Sequence, residues 1–185
     1  MNIFHHQFST GQVVAATGVT NAALQSWLRR NLIVGHKTTA PIEGGGTPGA
    51  HRKFSFFNVM EIAIAKALTD TGLKDIDAAM KAAMHFAHSG HAAVGDNPGR
   101  MPSLPFDWRQ PPRKTILCVA GERSTVTYWR PGNNDFWVIA RHQLGNPEGF
   151  VALEINPVFE RVVANLGYDY RDVLEIAYPH NEQAE

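Results

Sequence analysis

The stretch from residue 90 to residue 113 constrains the fold most, because glycine and proline recur along it too often for a long helix or strand. These residues are Gly90, Gly95, Pro98, Gly99, Pro102, Pro105, Pro111 and Pro112. The chain before this stretch has helical periodicity, and the chain after it has strand-like runs. We therefore predict an α+β protein with a domain over residues 1–90, a linker over 91–113 and a small α+β domain over 114–185. Because 44% of the residues are apolar, the chain can bury a core, which excludes global disorder.

Two short helices joined by a turn are predicted near the start of the chain. Ser9 or Thr10 can cap the first helix, which is predicted to end near Gly18, where glycine suits a left-handed turn. Thr20 can cap the second helix, predicted over residues 21–30. The apolar face of the second helix consists of Ala23, Leu24, Trp27 and Leu28. This order of elements is typical of a helix-turn-helix.

A glycine-rich stretch follows this pair of helices. Residues 32–34 are predicted to be extended, and residues 35–50 contain too much glycine and proline for a regular helix. They predict a hairpin or loop, a wing, whose return strand carries the basic residues Arg52 and Lys53. Two more amphipathic helices are predicted, over residues 56–71 and 74–88.

The sequence after the linker predicts a small sheet with two helices. Strand-like runs occur at residues 115–120, 125–130, 136–141 and 150–155. Pro157 is placed at the first position of a helix that ends at residue 166, and a last amphipathic helix is predicted over residues 170–178. The aromatic residues of this half fit a small hydrophobic core or, as the alternative, a ligand cage: Tyr128, Trp129, Phe136, Trp137, Phe150 and Phe159.

Charge is unevenly distributed along a chain with 17 basic and 17 acidic residues. Residues 1–60 hold five basic side chains and one acidic side chain, whereas residues 91–185 have a net charge of −3. A basic end on a neutral chain predicts a polyanion partner at that end.

Three features predict a cytoplasmic protein that does not enter a membrane. No apolar run approaches the roughly 20 residues that cross a bilayer. The first residues lack the basic and apolar regions of a signal peptide. The single cysteine, Cys118, cannot form an internal disulfide and is expected to be buried and inert.

No sequence motif predicts catalysis. The chain has no nucleophile elbow, no phosphate-binding loop and no zinc-protease motif. His85, His88 and His91 have a metal-like spacing, but a polar helix end with cations near its C-terminus explains them better. We therefore expect no enzyme activity, no bound metal and no cofactor.

Three tracts occur in an order that points to one family. They are GQVVAATGVT at residues 11–20, LQSWLRRNLI at residues 24–33 and RKFSFFNV at residues 52–59, followed by Gly72 and Leu73. From residue 8 to about residue 73, the chain resembles the winged-helix DNA-binding domain of MerR-type transcriptional regulators. The family's long dimerisation helix has no counterpart here, since the fourth predicted helix stops at Gly90.

The resemblance implies that the second helix is a recognition helix that reads the major groove of DNA. Gln25 can then pair with adenine, and Arg29 can pair with guanine or phosphate. Arg52 and Lys53 on the wing would contact phosphate. The predicted DNA-binding residues are Thr20, Asn21, Ala22, Gln25, Ser26, Arg29, Arg30, Lys37, Arg52 and Lys53.

We therefore expect a sequence-specific transcriptional regulator that binds a palindromic operator as a homodimer. Its expected partners are double-stranded DNA, a second copy of the chain and, as the resemblance implies, RNA polymerase. Residues 114–185 are expected to dimerise or to sense a signal. Two alternatives stay open: an architectural, excisionase-like factor that bends DNA, and an enzyme or ligand-binding module in the C-terminal half.

Overall fold

The structure is a computed structural model that describes residues 2–34, 52–94, 98–109, 112–132 and 135–179. In these ranges the chain is an α+β protein with seven α-helices and two small antiparallel sheets, which confirms the predicted fold class. The helices are α1 (Thr10–Thr17), α2 (Asn21–Arg29), α3 (Phe56–Asp70), α4 (Ile76–His88), α5 (Phe136–Gln143), α6 (Ile155–Asn165) and α7 (Tyr170–Ala177). The strands are β1 (Gln7–Ser9), β2 (Lys53–Ser55), β3 (Lys114–Ala120), β4 (Arg123–Trp129) and β5 (Val151–Glu154). Across the described ranges, every helix is too short or too polar to cross a membrane.

Side-chain caps set the ends of the first three helices close to the predicted positions. Ser9 caps α1 in a reciprocal capping box with Gln12, and Gly18 ends this helix with a left-handed φ of 72°. Thr20 caps α2 as predicted. Ser55 caps α3 in a second capping box. These local hydrogen bonds explain why the boundaries of α1, α2 and α3 can be predicted from the sequence.

Two other helices begin at positions that differ from the prediction. Helix α4 begins at Ile76, two residues later than predicted, because the side chain of Asp75 accepts hydrogen bonds from the first free N–H groups of the helix. Helix α6 begins at Ile155, so Pro157 occupies its third position and not its first. Proline is tolerated there because the N–H groups of the first turn have no partner within the helix.

The return strand of the predicted wing pairs with the first strand of the chain. Strand β2 lies antiparallel to β1, with Phe54 opposite Phe8 and Lys53 opposite Ser9. Both phenylalanines are buried, whereas Lys53 is exposed, as the alternation of a half-buried strand requires. Strand β1 was not predicted from the sequence.

The segment before the wing is not the strand that was predicted. Residues 32–34 form no strand; they follow a turn in which Asn31 has a positive φ of 54°. Residues 35–51, which include most of the predicted wing and Lys37, lie outside the described residues. The winged-helix assignment therefore stays a prediction.

The C-terminal sheet has the strand order β4-β3-β5, and all neighbouring strands are antiparallel. The central strand β3 is buried on both faces. Leu117 and Val119 belong to the main hydrophobic core on one face. Ile116 and Cys118 belong to a second cluster with α5 on the other face. This alternation places the sheet between α5 and the main core.

Residues 136–141 form part of helix α5, so the strand predicted there is wrong. The consecutive Phe-Trp-Val-Ile residues favour a strand by propensity, but propensity for strands depends strongly on context. Phe136, Ala140 and Leu144 recur every four residues, and all three are buried against β3. Helical spacing of the buried side chains therefore decides the structure here.

One hydrophobic core includes residues from all three predicted parts of the chain. The ring centroids of Phe56 in α3 and Phe159 in α6 lie 6.4 Å apart, and Trp108 contacts Phe159 from the proline-rich stretch. Leu104, from the same stretch, is fully buried. Residues 98–109 therefore pack as part of the protein interior and bring the two halves of the chain into contact.

Candidate nucleic-acid interface

Helix α2 is anchored by one apolar face and exposes the other. Leu24, Trp27 and Leu28 are buried in the core. The predicted site residues on the opposite side are more accessible: Thr20, Asn21, Ala22, Arg29 and Arg30 are exposed, and Gln25 and Ser26 are half-buried. The N-terminal half of α2 therefore presents a polar, uncovered surface.

Arg52 connects the base of the predicted wing to this surface. Its Nη1 donates a hydrogen bond of 2.9 Å to Oε1 of Gln25. Nε2 of Gln25 lies 3.4 Å from Oδ1 of Asn21, one turn earlier in α2. The structure therefore brings three of the predicted site residues together and fixes the orientation of the Gln25 amide group.

Two more of the predicted basic residues, Arg29 and Lys53, are accessible to solvent. Arg29 is exposed in the last turn of α2, and Lys53 is exposed on the edge of β2. Within the described ranges, neither side chain forms an ion pair. Lys37, the remaining predicted basic residue of the wing, lies outside the described residues.

Arg30 forms an ion pair with an acidic residue of α4. Its Nη2 donates to both carboxylate oxygens of Asp77, at 3.0 and 3.3 Å, and so connects α2 to the first turn of α4. The two side chains are 47% and 57% exposed, so this ion pair contributes at most about 1 kcal/mol to stability. Arg30 therefore has a contact within the protein that competes with any contact to DNA.

A buried carboxylate, which the sequence analysis missed, fixes the chain where it leaves α2. Glu61 in α3 is fully buried and accepts hydrogen bonds from the N–H of Val34 at 3.1 Å and from Nε2 of His88 at 2.9 Å. Nδ2 of Asn58 donates to the carbonyl oxygen of Val34 at 2.9 Å. Both backbone groups of Val34 are thus held by α3. The only sequence signal for this site is a glutamate within the apolar run of α3.

The three histidines with metal-like spacing have separate surroundings. His88 contacts Glu61, the ring of His85 lies 3.4 Å from the hydroxyl of Ser124, and the ring of His91 packs against Phe106. Among the described residues, no group of three His, Cys, Asp or Glu side chains is arranged to hold a metal ion.

A buried arginine, also missed by the sequence analysis, organises the proline-rich stretch. Arg100 is 4% exposed and donates to four backbone carbonyl groups, those of Phe86, Ser89, Met101 and Leu104. Removal from water lowers the pKa of Arg100 to about 10, so the guanidinium is still charged at neutral pH. The chain also turns back closely at this point, because a Cβ on Gly90 would lie 2.5 Å from the carbonyl oxygen of Arg100.

Cys118 is buried in the apolar cluster between β3 and α5, as predicted. Burial raises the pKa of the thiol to about 12, because the thiolate would lose its hydration there. The thiol is therefore protonated and poorly nucleophilic at neutral pH.

No protein-family model and no curated protein matches this chain. The candidate interface is therefore defined by its geometry: the polar half of α2 is exposed, and Arg52 is hydrogen-bonded to Gln25 of this helix. Arg29 belongs to the same helix, and Lys53 follows Arg52 in the sequence.

Proposed function

We propose that this chain is a cytoplasmic, sequence-specific DNA-binding regulator of transcription, with a DNA-binding part that resembles that of MerR-type regulators. The observation that carries this proposal is the hydrogen bond between Arg52 and Gln25. It joins a basic residue on the return strand of the predicted wing to the exposed face of the helix that would read DNA.

The polar face of α2 suits the major groove of DNA. A helix docked there presents its N-terminal residues to base edges. Asn21 and Gln25 carry side-chain amides, which can bond in bidentate fashion to adenine. Arg29 provides a guanidinium for guanine or phosphate. These residue types supply the direct readout that sequence specificity requires.

The basic residues around α2 would position the protein on the phosphate backbone. Lys53 begins β2 and is exposed, and Arg52 directly precedes this strand. Contacts of this kind are sequence-independent and make affinity depend on salt. The net charge of +4 over residues 1–60 favours such contacts at this end of the chain.

We further propose that the regulator acts as a homodimer on a palindromic operator, with RNA polymerase as a further partner. A two-fold dimer places two recognition helices in half-sites about one helical turn apart. Trp137 and Val138 on α5 are 55% and 70% exposed, and a second copy of the chain could cover these apolar side chains.

Selection of binding sites from a random pool of double-stranded DNA, with the full-length chain, tests this proposal. An enriched inverted repeat is expected. Salt-dependent binding without any enriched sequence would contradict sequence-specific regulation and favour an architectural protein that bends DNA. No binding to DNA at low salt would contradict both functions.

Substitution of two basic residues then tests whether the proposed surface makes the contact. The double variant Arg29→Ala with Arg52→Ala is expected to bind the selected operator at least about tenfold more weakly, and its salt dependence should be less steep. Arg161→Ala with Arg171→Ala, exposed in the C-terminal half, is the matched control for charge. Equal affinity of the two double variants would show that the surface is wrongly assigned.

A further inference from the structure

A cavity of about 420 Å³ lies in the C-terminal half, and none of its described lining residues belongs to the proposed DNA-binding surface. Strand β4, helix α5 and the chain that follows α4 form its walls. Its lining includes His91, Phe106, Thr127, Tyr128, Ile139 and Gln143. Cavities of about 300–1,000 Å³ are typical of small-molecule sites.

The aromatic side of this cavity consists of two accessible rings, those of His91 and Tyr128, which pack on the buried ring of Phe106. The ring centroid of Phe106 lies 5.4 Å from that of His91 and 5.5 Å from that of Tyr128, and both pairs are edge-to-face. Phe106 is 2% exposed, so its ring is held in place by packing. A fixed aromatic wall of this kind favours another flat ring, by stacking or by edge-to-face contact.

The described lining of the cavity carries no formal charge. None of its described residues is Asp, Glu, Lys or Arg. Burial and the neighbouring Arg100 lower the pKa of His91, so this imidazole is neutral near neutral pH. A charged group bound against the buried part of the lining, at Phe106 and Thr127, would lose hydration without gaining a counter-ion from these residues, which is unfavourable.

Polar groups at the edge of the cavity offer hydrogen bonds to a ligand. Oε1 of Gln143 accepts a hydrogen bond of 2.6 Å from the hydroxyl of Thr125. This bond orients the amide, and its Nε2 makes no hydrogen bond to another described residue. Thr127, 8% exposed, adds a hydroxyl to the lining. The amide can therefore donate to an acceptor atom on a bound molecule.

We propose that this cavity binds an uncharged, planar aromatic molecule of one or two fused rings that carries a hydrogen-bond acceptor on its edge. The rings of His91 and Tyr128, which pack on the buried ring of Phe106, bind its apolar part, and Gln143 donates to its acceptor atom. This site goes beyond the proposed function, since none of its residues belongs to the DNA-binding surface, and its test does not involve DNA.

Titration of the full-length chain with three probes of similar size tests the chemistry of the site. The probes are quinoline, which is uncharged near neutral pH, the anion 1-naphthoate and the cation 1-naphthylmethylammonium. Quinoline is expected to saturate one site with a Kd below about 1 mM and to shift the backbone amide NMR signals of β4 and α5. The two charged probes are expected to bind at least about tenfold more weakly. Equal or tighter binding of either charged probe, or no saturable binding of quinoline, would overturn the proposal.

Two substitutions on the same helix locate the bound probe. Ile139 lines the cavity and is 43% exposed, whereas Val138 is 70% exposed and does not line it. Ile139→Trp fills the cavity and is expected to weaken quinoline binding at least about tenfold, while Val138→Trp leaves it unchanged. Thermal unfolding of both variants checks that they fold. Binding that survives Ile139→Trp, or that both substitutions weaken equally, would contradict this site.

Discussion

Nη1 of Arg52 lies 2.9 Å from Oε1 of Gln25, so two residues that are 27 positions apart share a hydrogen bond. In the sequence, most of the predicted wing lies between these two residues, and the bond holds Arg52 against the exposed face of α2. It directs Oε1 of Gln25 toward the guanidinium, and Nε2 lies on the side of Asn21. The two side chains therefore form one unit, and a change in either one alters the orientation of the other.

Gln25→Ala, Arg52→Ala and the double variant are expected to be non-additive in DNA binding. Each single substitution removes the shared hydrogen bond as well as its own contact with DNA, so the double variant should lose less affinity than the product of the two single losses. We expect each single variant to bind the selected operator roughly tenfold more weakly. Fluorescence anisotropy with labelled operator at fixed salt measures all four proteins. Strictly multiplicative losses would show that the two side chains act independently in the complex.

The parts of the fold that depend on local chemistry can be predicted from the sequence. Ser9, Thr20 and Ser55 each accept a hydrogen bond from an N–H group three residues later, and this is why α1, α2 and α3 begin where expected. Gly18 ends α1 because glycine adopts the positive φ of a left-handed turn without steric strain. These features require no knowledge of the rest of the chain.

The contacts that build the candidate site could not be predicted in this way. Gln25 and Arg52 were both candidates, but neither residue type nor spacing shows that they meet across 27 residues. Val34 and Glu61 are also 27 positions apart in the sequence, so their contact could not be predicted either. Helix α5 was missed for a related reason, since β3 is the surface that selects its helical face. Tertiary contacts determine these three features, and local propensity carries no information about tertiary contacts.

Glu61 is expected to be important for stability although it lies outside the DNA-binding surface. Glu61→Ala leaves the N–H of Val34 and Nε2 of His88, both partly buried, without their acceptor. Loss of hydrogen bonds to a buried charged group should lower the free energy of unfolding by about 2–3 kcal/mol. Urea unfolding followed by circular dichroism measures this change.

Glu122→Gln is the control for the Glu61 prediction. Glu122 pairs with Lys81 on the surface, where the two side chains are 81% and 53% exposed. Loss of that ion pair should change the free energy of unfolding by less than about 1 kcal/mol. Similar losses for both variants would mean that the buried position of Glu61 has no special importance.

Arg100→Lys is expected to destabilise the protein although the positive charge is retained. The guanidinium reaches four carbonyl groups at once, whereas an ammonium group has three donors in a different geometry. At least one buried carbonyl would lose its donor, so the free energy of unfolding should fall by about 1–3 kcal/mol. Thermal unfolding measures the change, and the same substitution at exposed Arg171 is the control. Equal melting temperatures of the two variants would contradict the bridging role.

The buried thiol of Cys118 is expected to make stability fall at alkaline pH. Its pKa rises from an ordinary value of 9.0 to about 12 on folding, because the apolar cluster excludes water from the thiolate. Between these two values the folded state binds more protons than the unfolded state, so the free energy of unfolding decreases as pH rises. Below pH 9.0 the contribution of the protonated thiol to stability is fully present, and above about pH 12 this thiol causes no further loss of stability.

Cys118→Ala isolates this contribution from that of other groups, such as Tyr178, whose pKa burial also raises. The variant should be less stable than the parent protein at pH 8 because it leaves a small cavity. The difference between the two proteins should shrink as pH rises through 9.0, since only the parent has a thiol that must stay protonated to fold. Urea unfolding of both proteins across this window measures the difference. A difference that stays constant with pH would show that the thiol ionises equally in the folded and unfolded states.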